Sequence, residues 1–280
     1  MNTKMILLFS LLAPLPAVAG PQFTVTDLGP VNRPGGGLFW HVIQGQTDSR
    51  LASLVATPSN NVAYQLFGLM GVGSSEVSPD GNQVHATLWR PTSSGNATTV
   101  TDLGVLQNAQ GDPDAPGPQS AAYAMNSVGD IVGWSQTANV YAYSGGFYHV
   151  YHAFLWNGGA MHDLGTLAIP NPNPQISHGY GSANYSSLAE GVNDFHEVVG
   201  WADSISSATN DILRRAFYYA NGTMYNLTFF LSGAPGTLRL TEALSIDCQG
   251  NIAAVGFDMN GGGTHSYLLT RVGAARSCQP

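Results

Sequence analysis

Charge is scarce in this 280-residue chain: Asp, Glu, Lys and Arg make up 9% of it, and Lys4 is the sole lysine. After the first residues, eight arginines face 17 carboxylates, a net charge of −9 with histidine neutral. A phosphate backbone needs clustered cations that displace counterions, so nucleic acid and anionic membranes are excluded as partners. No apolar run approaches the roughly 20 residues of a spanning helix, which excludes a helical membrane span. No segment sustains a 3.6-residue apolar period between caps, so helices should be nearly absent. Cysteine is limited to Cys248 and Cys278, which leaves no C-x-x-C framework. An isolated pair in an oxidising compartment is most simply one disulfide, worth ~3–4 kcal/mol in the chain-entropy model for this separation. Gly-x-Ser-x-Gly, His-Glu-x-x-His and phosphate-loop motifs are also missing.

The N-terminus reads as a secretory signal over residues 1–19. Lys4 supplies the positive end, Met5 to Leu12 the apolar run, and Ala17-Val18-Ala19 the small-residue cleavage pattern. Residues 20–280 are then expected to form a single exported β-repeat domain, secreted or periplasmic in a bacterium. The 34 glycines, with abundant Ser, Thr, Asn and Tyr, suit turn-rich strands that meet uncharged ligands.

Repetition is the main signal. One segment type reads Asn126-Ser127-Val128-Gly129-Asp130-Ile131-Val132-Gly133-Trp134, and returns from Gly191 to Trp201 and from Leu244 to Phe257. We place its first copy at Val77-Ser78-Pro79-Asp80-Gly81-Asn82-Gln83-Val84. A second type reads His152-Ala153-Phe154-Leu155-Trp156, a turn, then Asp163-Leu164-Gly165. It recurs from His85 to Gly104 and from Arg215 to Leu227, and begins again at His265. The last copy lacks its second strand, but Phe23-Thr24-Val25-Thr26-Asp27-Leu28-Gly29 near the N-terminus resembles Thr99 to Gly104. Polar turns between short β-branched runs are hairpins. The pattern predicts an all-β, β-propeller-like ring of about four (possibly five) units, closed by pairing of the N- and C-terminal strands. Such closure removes a hazardous open edge. A parallel β-solenoid is the alternative, and it would not need the N-terminal strand to copy an internal one.

The His-Ala-Phe-Leu-Trp, Asn157-Gly158-Gly159 and Asp-Leu-Gly-Thr-Leu segments, with Asn193 to Gly200, resemble the extracellular HAF-repeat family of bacteria. The resemblance spans most of the mature chain and is most specific in its middle copies. It implies export and a β-repeat fold, and no established catalytic activity.

Antiparallel order predicts that turns inside hairpins fall on one side and connections between hairpins on the other. The connections Pro30–Ser74, Val105–Ser120, Ser135–Tyr151, Thr166–Ser186 and Asp203–Asp211 are long, and long loops on rigid scaffolds carry binding residues. Tyr141, Tyr143, Tyr148 and Tyr151 crowd one of them beside Gly145 and Gly146, with Trp40 in another. Tyrosine-rich, glycine-flexed loops make amphipathic platforms for sugar faces or peptides. The aspartates at 27, 102 and 163 read as turn caps. The repeated histidines cannot converge on one metal when the fourth place is Arg215, so no metal or cofactor is expected. Asp112 and Asp114 form half a calcium loop at most. Paired carboxylates of the glycosidase kind have candidates in Glu190, Glu197, Asp203 and Asp211, without a spacing that demands them. The reading favours an exported non-catalytic module that binds an extracellular glycan or protein through one face. A hydrolase or lyase with central carboxylates, and a structural envelope or matrix repeat, are the alternatives.

Overall fold

The computed structural model describes residues 21–30, 62–67, 70–78, 83–92, 98–107, 109, 117–143, 146–167, 185–205 and 212–277. Among these the chain is nearly all β, with one short 3-10 turn at Leu227–Phe230. The first sheet holds β2 (Val62–Phe67), β3 (Met70–Glu76), β4 (Val84–Pro91) and β5 (Thr98–Gly104). The second holds β6 (Ser120–Met125), β7 (Ile131–Tyr143), β8 (Gly146–Asn157) and β9 (Ala160–Asp163). The third holds β10 (Ser187–Val192), β11 (Val198–Ile205), β12 (Ile212–Ala220) and β13 (Thr223–Asn226). In each, chain neighbours pair antiparallel in order. This sets aside the parallel solenoid.

The fourth sheet is assembled from both ends of the chain. β15 (Leu238–Ile246), β16 (Ile252–Asp258) and β17 (Thr264–Arg271) run in order, and β1 (Phe23–Pro30) supplies the next strand. β1 lies antiparallel to β17, with Val25 opposite Leu269 and Asp27 opposite Tyr267. The two-residue β14 (Leu231–Ser232) adds in parallel on the far side of β1. The likeness of Phe23–Gly29 to Thr99–Gly104 therefore reports a shared place, the strand that pairs with the histidine-bearing one.

The inner strand of each sheet carries a bulge at an equivalent position, and β15 has a second between Ala243 and Ser245. The register slips between Ala63 and Gln65, Ala122 and Ala124, Ala189 and Gly191, and Leu240 and Glu242. A bulge bends its strand and brings backbone close to the neighbour. This explains the repeated glycine of Val-Gly-Trp. A Cβ on Gly133, Gly200 or Gly256 would press on the carbonyl oxygen of Ala121, Leu188 or Arg239 respectively. The turn glycine has a different cause: Gly129 and Gly250 have φ of 92° and 84°, and His196 takes the same left-handed region at 58°.

Three apolar cores lie between successive sheets. Leu103 of the first sheet packs with Ala122 and Ile131 of the second. Leu164 of the second packs with Ala189 and Phe217 of the third. Leu227, after the third sheet, packs with Leu240 and Ile252 of the fourth. Polar bonds repeat beside them. Ser120 Oγ donates to the Gly104 carbonyl and accepts from the Ala86 N–H, and Ser187 Oγ does the same for Gly165 and Ala153. At the turn end, Asn126 Nδ2 donates to the Asn193 carbonyl and Asn193 Nδ2 to that of Asp247.

The series ends at the fourth sheet. Leu28 occupies the place of Leu103, Leu164 and Leu227, yet it is 61% exposed against 7%, 7% and 0%. No core joins the fourth sheet to the first among the described residues. The terminal strands meet as expected and complete a sheet, and among the described residues they bury no fourth junction.

Three expectations need correction. Pro30–Ser74 is not a loop throughout, since it contains β2 and most of β3. Val77–Val84 is not an inner hairpin of the first unit; it joins β3 to β4, with Glu76 opposite Val84. The matching turn lies between Phe67 and Met70, which pair directly. Its sequence, Phe67-Gly68-Leu69-Met70, offers one glycine among apolar residues, a weaker turn signal than Pro79-Asp80-Gly81. The Ser135–Tyr151 connection is also not a loop. β7 and β8 continue as a two-stranded ribbon, with Val140 opposite His149 and Tyr143 opposite Gly146.

Candidate functional site

The His-Ala-Phe and Asp-Leu-Gly motifs form one element. His85 Nδ1 lies 3.0 Å from both carboxylate oxygens of Asp102, and His152 2.9 Å from those of Asp163. His265 reaches Asp27 at 2.7 and 2.9 Å across the terminal strand pair. Each aspartate also accepts from the glycine N–H two residues on, Gly104, Gly165 or Gly29, at 2.7–2.8 Å. The carboxylate caps its own turn as the sequence suggested, and the histidine clamps it from the neighbouring strand. In the third sheet both partners change together, to Arg215 and Asn226. That joint change is the sequence signal for the pairing. Among the described residues no three His, Cys, Asp or Glu gather to hold a metal.

At the end of the sheets where connections emerge, an aromatic stack bridges the second and third sheets. The Trp134 and Tyr151 ring centres are 5.5 Å apart, and Tyr151 meets Trp201 edge-on at 6.0 Å. The Arg214 guanidinium lies 3.7 Å from the Trp201 ring centre, a cation–π contact. The β7–β8 ribbon leaves the second sheet beside this stack, with Tyr141 opposite Tyr148. Tyr151 is thus part of the bridge between sheets, and Tyr141, Tyr143 and Tyr148 belong to the ribbon. Trp40 lies outside the described residues.

Arg214 links the stack to carboxylates. It is the cross-strand partner of Asp203, whose pKa is raised by burial against the Ser186 N–H bond and the charge of Arg214. Glu190, the bulge residue of β10, is 3% exposed, and burial pushes its pKa up to about 7 despite a hydrogen bond with Glu242 and the charge of Arg214. Glu242 and Arg214 escaped the sequence reading. The usable signal was Glu190 itself, an acid where the other inner strands place Tyr64 and Tyr123.

Glu197, another carboxylate candidate, has a structural part. Burial would raise its pKa, but bonds from Arg276, Tyr218 and Asn193 and the charge of Arg271 bring it down to about 2. Arg276 Nη1 and Nη2 reach it at 2.6 and 2.8 Å, and Arg271 Nη1 at 2.9 Å. These bonds tie the C-terminal segment to the third sheet. Gln249 exchanges two hydrogen bonds with the Arg276 backbone, which brings the chain back beside Cys248. Cys278 lies outside the described residues.

The opposite end of the fourth sheet, where β16 turns into β17, holds an open groove of about 350 Å³ lined by Asp27, His265, Tyr267 and Asp258, with Gly261–Gly263 and Ala234 at its margins. Compared with models of known families, with curated proteins and with solved structures, the chain finds no match.

Proposed function

We propose that the chain is an exported, non-catalytic module of the HAF-repeat kind that binds an extracellular glycan at the connection end of its sheets. The single observation behind this reading is the Trp134–Tyr151–Trp201–Arg214 stack, which continues toward a ribbon bearing three tyrosines. Aromatic faces with polar tips suit sugar rings, which offer apolar faces and hydroxyl edges. The low charge of the chain fits a neutral ligand. The scaffold in this reading is a ring-like array joined at its termini by the β1–β17 pairing. The signal at residues 1–19 and a Cys248–Cys278 disulfide belong to the same proposal, the latter supported by the Gln249–Arg276 bonds. Titration of neutral oligosaccharides tests it: a Tyr141→Ala/Tyr143→Ala/Tyr148→Ala variant should lose at least tenfold in affinity, and unchanged affinity would reject the ribbon.

A hydrolytic reading has one observation in its favour. Glu190 with Glu242 places a protonatable carboxyl beside a second one, the pairing of acid and base that glycoside cleavage uses. Turnover of polysaccharides that disappears in Glu190→Gln would establish it. The 3% exposure of Glu190 argues for a buried structural acid.

A further inference from the structure

The His–Asp–Gly element occurs in three sheets, but in the fourth it lines a cavity of about 350 Å³. Two features specific to this sheet shape it. β14 pairs outside β1 and leads into Gly233-Ala234-Pro235, which raises one wall. The β16–β17 turn runs through Gly261, Gly262 and Gly263, with φ of 114°, 116° and 78°, so between Asp258 and His265 the lining is bare backbone. Tyr267 shares this lining with Asp27 and Asp258, and burial first, then the charges of these two acids, raise the pKa of its hydroxyl. The His265 and Tyr267 rings stack at 6.2 Å and 25°.

The charges decide the ligand class. Asp27 is held ionised by the Gly29 N–H and by His265, and Asp258 by the Asn260 N–H and Thr237, with Arg239 nearby. His265, when protonated, offsets the first acid and the charge of Arg239 part of the second. The groove offers two fixed carboxylates, strong acceptors for hydroxyl groups, above a tyrosine and a histidine ring. Its volume is within the ~300–1,000 Å³ of small-ligand sites. We infer that this groove is a saccharide subsite that takes a neutral sugar unit, with hydroxyls donating to Asp27 and Asp258 across the His265–Tyr267 rings. It rests on the glycan reading above and adds a position apart from the tyrosine ribbon.

The experiment is calorimetric titration of the full chain with neutral hexose, pentose and N-acetylhexosamine di- and trisaccharides. Two variants alter opposite walls: Ala234→Trp fills the groove, and Asp258→Asn keeps the shape of the turn while removing the charge. Each should weaken binding of the preferred sugar at least tenfold, with a thermal midpoint matching the parent chain to show that folding is intact. Unchanged affinity in both, with loss confined to the tyrosine triple variant, would overturn the groove and leave the glycan reading standing. Loss in the groove variants but not in the triple variant would support the groove and remove the ribbon. No binding of any sugar by the parent chain overturns both.

Discussion

Replacing Leu103, Leu164 or Leu227 by alanine removes a side chain sealed between two sheets, at 7%, 7% and 0% exposure. A buried Leu→Ala change costs about 2–5 kcal/mol, the transfer loss plus the cavity left behind. Leu28 has the same place in its sheet but is 61% exposed, so its replacement should cost no more than about 0.5 kcal/mol. Urea unfolding separates these cases. With a slope of ~3 kcal/mol/M, the three buried changes lower the midpoint by roughly 0.7–1.7 M, and Leu28→Ala by under ~0.2 M. The β1–β17 hydrogen bonds should be untouched by Leu28→Ala, so amide protection along Thr24–Asp27 stays at the parent level. If Leu28→Ala matches the other three, the first sheet packs against the fourth in solution and the unburied fourth junction described above is wrong.

Other expectations follow from single sites. Glu190 has a folded pKa of about 7 against 4.5, so its protonated form is favoured by folding. That contribution is complete below pH ~4.5 and is lost as pH rises through ~7, by up to about 3 kcal/mol; Glu190→Gln should flatten this slope in urea midpoints measured from pH 4 to 8. Gly133→Ala would press a Cβ on the Ala121 carbonyl and should cost several kcal/mol, roughly 3 or more, whereas Gly158→Ala, with open space and φ of 56°, should cost about 1 kcal/mol. Joining Cys248 to Cys278 should add ~3–4 kcal/mol, so a reductant should lower the thermal midpoint while intact mass rises by the two hydrogens of one cleaved bond; equal midpoints would remove the disulfide.

The sequence carried the strand repeats because the scaffold uses the same physical devices in each sheet. Asp-Leu-Gly recurs since the carboxylate caps a turn, the leucine fills a junction and the glycine takes positive φ. Matching Phe23–Gly29 to Thr99–Gly104 therefore located β1 correctly. The first unit was misread because its inner turn, Phe67 to Met70, offers one glycine among apolar residues, while the Ser78-Pro79-Asp80-Gly81 stretch mimics one. The exposure of Leu28 was illegible for another reason: a leucine at a junction position reads the same whether or not a sheet faces it. Arg214 and Glu242 were hidden because each gains meaning only across strands, Arg214 on Trp201 and Glu242 on Glu190. The groove likewise depends on β14 and the Gly261–Gly263 turn, features outside the repeat.

Incubating the chain with a neutral polysaccharide it retains, then recovering and sizing that polysaccharide, tests the central claim of binding without turnover. The account predicts retention that falls in the Tyr141/Tyr143/Tyr148 alanine variant and a ligand recovered at its starting length. Shortened chains that no longer appear with Glu190→Gln would contradict it, and would make the Glu190–Glu242 carboxyl pair the centre of the protein's chemistry.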